Sequence, residues 1–130
     1  MIDKVALLYL KDHRVLTTRS KGKDVYYFPG GKREGVETDL ETLSREIREE
    51  LSVEIVRGSE VFYGIFEAQA HGKAEGITVR MTCYTAAFTG TLRPDHEIAE
   101  ILWIDSADTE KVSPVDKLIL ADLKEKGLIR

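Results

Sequence analysis

Between Gly31 and Glu50 the chain places six glutamates, at positions 34, 37, 41, 46, 49 and 50. Glu46 and Glu50 are four residues apart and Glu49 lies three beyond Glu46, so on a helix all three project within about 100° of one another. Like charges gathered this closely repel. One reading is a solvated helix face with Arg45 and Arg48 as counterions. The other is a hard-cation site: Mg²⁺ or Mn²⁺ takes oxygen ligands, keeps several waters and is shared with substrate phosphates, so two or three carboxylates on a rigid helix suit it.

The elements that must position these residues follow from patterning. Thr38-Asp39-Leu40-Glu41 has the form of a capping box and starts a helix. Leu40, Leu43, Ile47 and Leu51 recur at spacings of 3, 4 and 4, which sets one apolar stripe against a sheet. Ahead of it, Val5–Leu10 reads as a buried strand, Lys11–Arg14 as a polar turn and Val15–Arg19 as the returning strand of a hairpin. Tyr26-Tyr27-Phe28 leads into Pro29-Gly30-Gly31, a point where the backbone can turn tightly. Val53–Arg57, Val61–Ala68, Ile77–Thr89 and Ile101–Ile104 carry β-branched and aromatic residues and read as strands. Pro114 at N1 opens a last helix that runs to about Lys126 and closes at Gly127. A sheet-rich chain with one helix in the middle and one at the end predicts an α/β fold, a central mixed sheet covered by helices.

With 130 residues, 42% of them hydrophobic, the chain has the size and apolar content of one domain spanning residues 1–130. Its longest apolar run, Val5–Leu10, is far short of the ~20 residues of a membrane span, and no secretory pattern precedes it, so a soluble, cytoplasmic protein without a membrane partner is expected. A single cysteine, Cys83, excludes an internal disulfide and a cysteine-based zinc site, and reads as a small core residue. A net charge of −4 argues against a broad nucleic-acid surface, which needs clustered Lys and Arg.

Taken together, Gly31, Glu37, Arg45-Glu46-Ile47, Glu49-Glu50 and Val53 resemble the Nudix box: glycine, five residues, glutamate, seven residues, then Arg-Glu-apolar-x-Glu-Glu-x-Gly-apolar. Eight of the nine specified positions match, Ser52 standing where the family usually has glycine. The layout around the box is also similar to that of Nudix hydrolases, which implies an α/β/α sandwich and hydrolysis of a diphosphate linkage with divalent ions. Carried over by position, the resemblance implies Glu46, Glu50 and Glu49 as metal ligands together with the Gly31 carbonyl. It implies Arg45 as the group orienting a carboxylate, and Glu37 as a residue that holds the loop or binds an outer ion. The resemblance leaves the base open, since members take it from the box helix, here Glu46 or Glu49, or from a later loop. Glu97, in PDHEIAEILWID, resembles the loop segment from which many members supply a glutamate as base or further ligand.

Arg19 and Lys32 match positions that approach phosphates in the MutT-like branch, with Arg33 and Lys23 as weaker candidates. Phe28, Tyr84 and Trp103 are candidates for stacking a base, and each is equally a candidate for the core. Markers of other branches are absent: Ala68 and Gln69 stand where ADP-ribose hydrolases tend to carry proline, and Ala70 and His71 where dinucleoside polyphosphate hydrolases tend to carry tyrosine. Gly30-Gly31-Lys32 and the chain length instead resemble the MutT-like branch. The expected reaction is therefore cleavage of a nucleoside triphosphate, ordinary, modified or oxidised, to monophosphate and pyrophosphate with Mg²⁺ or Mn²⁺. The alternatives are another nucleoside diphosphate-linked substrate, or a binding module that has lost catalysis. The chain has no asparagine, the residue commonly set against an oxidised guanine; Asp105 or a backbone group would have to replace it.

Overall fold

A computed structural model describes all residues, 1–130. The chain runs β1 (Ile2–Leu7), β2 (Leu10–Lys11), β3 (Arg14–Ser20), β4 (Gly30–Lys32), α1 (Asp39–Leu51), β5 (Glu54–Ile55), β6 (Val61–Gln69), β7 (Thr78–Thr85), β8 (Phe88–Thr89), β9 (Ile98–Ile104), a 3₁₀ helix (Ser106–Lys111) and α2 (Pro114–Glu125). One sheet has the order β4-β1-β7-β6 and is mixed, with β1 parallel to β7 and the other pairs antiparallel. A second, antiparallel sheet has the order β2-β3-β9, and β5 pairs with β8.

β1 is buried on both faces and so feeds two cores. Ala6 packs with Val79, Met81 and Cys83 of β7 beneath Ile119, Leu120 and Leu123 of α2. Val5 and Leu7 point the other way, to Leu43, Ile47 and Leu51 of α1. Helices therefore cover the sheets from two sides, the α/β/α layering expected from the sequence.

Four readings of the sequence are corrected. The strand read as Val5–Leu10 starts earlier and breaks at Leu8, where the chain leaves one sheet for the other. The Leu8 N–H donates to the Tyr84 carbonyl (2.8 Å), while Tyr9 already accepts from the Leu16 N–H (3.0 Å). The hairpin is thus confined to β2 and β3, across a turn in which Asp12 and His13 take positive φ. Leu40 is not on the buried stripe: it is 39% exposed in the first helical turn, and Thr42 joins Leu43, Ile47 and Leu51 inside. Periodicity gave the stripe's direction but not how far the first turn stands off the sheet.

Ile77–Thr89 is two strands, β7 and β8, because the chain turns away at Ala86-Ala87 to reach β5. Pro29-Gly30-Gly31, read as a point of tight turning, leads directly into a strand, Gly30–Lys32, paired with Lys4–Ala6. Glycine is required there: a Cβ on Gly30, at φ +146°, would lie 2.0 Å from the Val5 carbonyl oxygen.

The ends of α1 are as the sequence predicts. Thr38 and Glu41 form the reciprocal capping box. Ser52 takes the left-handed conformation that glycine would supply (φ 59°), at a cost of about 1 kcal/mol. Its hydroxyl donates to Asp95 (3.0 Å), and the Arg93 and Asp95 N–H groups cap the Leu51 and Glu50 carbonyls. α2 begins with Pro114 in the first turn and ends at Glu125. No helix is long and apolar enough to cross a membrane.

Candidate active site

The box is assembled by laying the glycine strand β4 against α1. A Cβ on Gly31 would sit 2.5 Å from the Glu46 carboxyl carbon, so glycine lets this carboxylate lie close against the strand backbone, and a larger residue would push it aside. One residue earlier, the Gly30 N–H donates to Glu50 Oε1 (3.1 Å). Two glycines thus bring backbone against two of the three helix carboxylates named from sequence.

Arg45 is the hub on the other side. Its Nε and Nη2 donate to the two oxygens of Glu37 (2.7 and 3.0 Å), and Nη2 also donates to the Lys32 carbonyl (3.0 Å). Nη1 lies 2.9 Å from Glu46 and from Glu34, and 3.5 Å from Glu49. One guanidinium therefore ties the incoming loop to the helix and orients Glu46, a task its planar fork suits and an ammonium would not.

These placements sort the carboxylates. Arg45 and the Glu34 N–H hold Glu37 down, to about 2. Burial pushes Glu46 up against the pull of Arg45. Glu50 is pushed up to about 8, chiefly by desolvation, with the Gly30 N–H and the Lys4 charge opposing and Glu46 and Glu49 adding repulsion. A partly buried carboxylate with one donor and no ion pair resists ionisation unless a cation joins it. The donors here are all oxygens, the set a hard divalent ion takes, so the residues fit such an ion. Glu49 leans toward Arg45, and no three acidic or histidine side chains already converge around one point.

From Glu50 and the two glycines a cavity of about 270 Å³ runs between the sheets toward α2. Tyr27, Phe28, Val79 and Met81 give it an apolar wall, and Lys4, Lys23, Lys32 and Lys73 line it with positive charge. Of the residues named from sequence, Phe28 lines the cavity while only 3% exposed, so it serves the core as well. Lys32 and the weaker candidate Lys23 also line it.

Others stand elsewhere. Arg19 is committed to Glu100 (2.6 Å) and the Lys23 carbonyl (3.1 Å). Tyr84 is outside the cavity, its hydroxyl donating to Asp39 (2.9 Å) at the start of α1, its ring edge-on to Phe62. Arg33 bonds Asp3 and Asp39, and Trp103 packs beside Tyr9. Asp105 caps the 3₁₀ helix. Glu97 is exposed without a side-chain partner; its carbonyl accepts from the Lys21 N–H (2.8 Å), and the next residue, Ile98, is in the cavity wall. Cys83 is buried in the core, its thiol pushed up by burial.

Sequence reasoning missed two groups. Lys4 lies on β1 between Ile2 and Ala6, on the face turned to the cavity. Its pKa is lowered by burial and by Lys32, against the pull of Asp116, Glu50 and Glu46. Asp116 is fully buried and pushed up to about 7 by desolvation. The Ser113 hydroxyl and Phe28 N–H are its nearest donors, but neither makes a hydrogen bond of normal geometry with it. Both had a signal: a lysine at an inward strand position, and an aspartate three, four and seven residues before Ile119, Leu120 and Leu123 on the apolar stripe of α2.

No curated protein matches the chain. Solved structures do. The solution structure of the E. coli ORF135 protein is 26% identical, with a TM-score of 0.75, over 96% of this chain and 89% of that one. A MutT NUDIX hydrolase from Burkholderia pseudomallei is 21% identical (TM-score 0.72, 92% and 95% covered), and the MutT protein of Methanosarcina mazei Go1 is 17% identical (TM-score 0.75, 97% and 94% covered). A model of the NUDIX domain matches residues 3–123, which contain the glycine strand, the Arg45 hub and the carboxylate helix described above. The chain belongs to the Nudix family and is a hydrolase of phosphoric anhydride bonds.

Proposed function

We propose that this enzyme cleaves a nucleoside triphosphate to a nucleoside monophosphate and pyrophosphate, using Mg²⁺ or Mn²⁺. Nudix hydrolases act on nucleoside diphosphate-linked compounds and generally use divalent ions; the triphosphate and the metal's identity are the proposal. The observation that carries it is Glu50: a partly buried carboxylate with no ion pair, standing where the box opens into a cavity lined by aromatic residues and lysines.

Glu46, Glu50 and Glu49 would hold the ion with the Gly31 carbonyl. When bound, a divalent ion neutralises phosphate oxygens that otherwise repel an incoming water, and makes that water more acidic. Arg45 keeps Glu46 aimed at Gly31, and Lys32 at the cavity lip orients the phosphates. Phe28 and Tyr27 offer a surface for the base, while Tyr84 and Arg19 act on the frame: Tyr84 steadies the helix start, and Arg19 fixes the Lys23 loop. Glu97 is assigned as the base that takes the proton from the attacking water, because its carboxylate has no side-chain partner and it directly precedes Ile98 of the cavity wall, whereas nearby Asp95 is held by Ser52 and the His96 N–H.

The test is a nucleotide panel with product analysis. EDTA should abolish turnover and Mg²⁺ or Mn²⁺ restore it, yielding monophosphate and pyrophosphate; orthophosphate alone, or undiminished activity in metal-free protein, would contradict the reading. Glu97→Gln should depress kcat far more than it raises KM. A kcat within about twofold of wild type, the effect expected of an exposed charge, would return the base to Glu46 or Glu49.

A further inference from the structure

Lys4 reaches the cavity from β1, an inner strand of the four-stranded sheet, whereas Lys32 reaches it from the edge strand β4. It extends from β1, opposite Lys32 on β4 and Met81 on β7, and its Nζ lies 5.4 Å from the centroid of the Tyr27 ring. That cation–π contact keeps the ammonium over the cavity's aromatic wall. No carboxylate oxygen lies within 4.0 Å of it. Glu50 and Asp116 act on it only through their fields. Its donors are therefore unspent in a partly desolvated place, and an ammonium has three N–H groups and no acceptor.

What could use those donors is set by the cavity's shape. Tyr27, Phe28, Val79 and Met81 form an apolar shelf that suits a flat heterocycle, whose edge would meet the ammonium. A donor-only group rewards an edge that carries an acceptor and rejects an amino group at the same place, because the lysine would then lose water without gaining a bond.

We propose that Lys4 selects the base: its ammonium donates to an exocyclic carbonyl oxygen of a nucleobase lying on this shelf. Guanine, uracil, thymine and cytosine are thereby favoured over adenine, the common base without such an oxygen. The inference rests on the nucleotide reading of the site and adds to it a residue outside the box.

The experiment compares kcat/KM for ATP with that for the other ribonucleoside triphosphates, and for ADP- with UDP-linked sugars, on wild type, Lys4→Met and Lys4→Gln. Wild type should favour its best carbonyl-bearing substrate over the adenine compound by about 10-fold or more. Lys4→Met should cost carbonyl-bearing substrates about 10-fold more than it costs ATP, mainly in KM, and Lys4→Gln, which keeps an N–H donor, should retain part of the preference. A wild-type ratio near one overturns the proposal. So does a uniform fall in kcat on every substrate, the mark of a lysine that acts only through the field it exerts on Glu50. If nothing in the panel is hydrolysed, the activity reading fails separately, and calorimetric titration with UMP, GMP and AMP still decides Lys4: equal affinities refute it, and weaker AMP binding that Lys4→Met equalises supports it.

Discussion

Glu37, one residue ahead of the helix cap, and Glu50, one residue from the helix end, carry the same carboxylate into opposite surroundings. Glu37 accepts from the Glu34 N–H (2.8 Å), the Thr42 hydroxyl (3.1 Å) and two nitrogens of Arg45. Glu50 accepts from Gly30 alone and is more deeply buried. One end of the motif is thus finished by the protein, and the other is left unfinished. The difference separates two jobs that the motif's spacing alone cannot separate: Glu37 ties the incoming loop to the helix, and Glu50, on the proposed function, is left for a cation.

The sharpest way to break this comparison is to remove each charge without changing volume. Glu50→Gln should lower kcat by at least about 10²–10³-fold, and Glu46→Gln similarly, since each removes an anionic ligand for the cation that would neutralise the phosphates. In the metal-free state at pH 8 and above, Glu50→Gln should unfold at a higher temperature than wild type, because it removes a carboxylate that resists ionisation. Glu37→Gln should retain far more activity while unfolding earlier at neutral pH. Equal kinetic damage from Glu37→Gln and Glu50→Gln would erase the distinction.

Arg45→Lys probes the seam between the two ends and should have the next largest effect. An ammonium cannot hold both Glu37 oxygens, the Lys32 carbonyl and Glu46 at once. Loss of this orienting contact should reduce metal affinity and kcat/KM by about 10- to 100-fold, read by calorimetry and by rate. Unchanged affinity would show that Glu46 is held by Gly31 and the helix alone.

The finished end was legible in the sequence and much of the unfinished end was not. The capping box at Thr38 and Glu41, the shared face of Glu46, Glu49 and Glu50, and the proline-opened last helix are local patterns, and local hydrogen bonding fixes them. The sheet partners of β1 are not local: Val5–Leu10 and Val15–Arg19 look like a hairpin because they adjoin in sequence, yet β1 pairs with β7, more than seventy residues on. Arg19 and Tyr84 carry the side chains of phosphate and base contacts, but Glu100 and Asp39 claim them. Lys4 and Asp116 escaped notice because single polar residues inside apolar patterns gain meaning only when the opposite wall of the cavity is known.

The smallest and most specific expectation is a pair of pH limbs of opposite sign in metal-free protein. Glu37 falls from an ordinary 4.5 to about 2 on folding, so between those values the unfolded chain binds more protons. Its contribution is complete above 4.5 and is lost as pH falls through 2. Glu50 rises from 4.5 to about 8, so the folded chain binds more protons in that interval; its contribution is complete below 4.5 and is lost as pH rises through 8. Asp116 shares the sign of Glu50, but its limb ends near 7 and it lies outside the box. Urea midpoints measured in EDTA from pH 2 to 9 should therefore fall at both ends. Glu37→Gln should make the acid limb shallower, Glu54, Asp95, Glu100, Asp108 and Asp122 supplying the rest of it, and Glu50→Gln should flatten the part of the alkaline limb above pH 7. Saturating Mg²⁺ should remove that same upper part in wild type, because an ion that binds only the ionised carboxylates displaces their proton. If the upper limb survives in Glu50→Gln, the carboxylate that resists ionisation is another one, and Glu50 loses its place as the unfinished end of the motif.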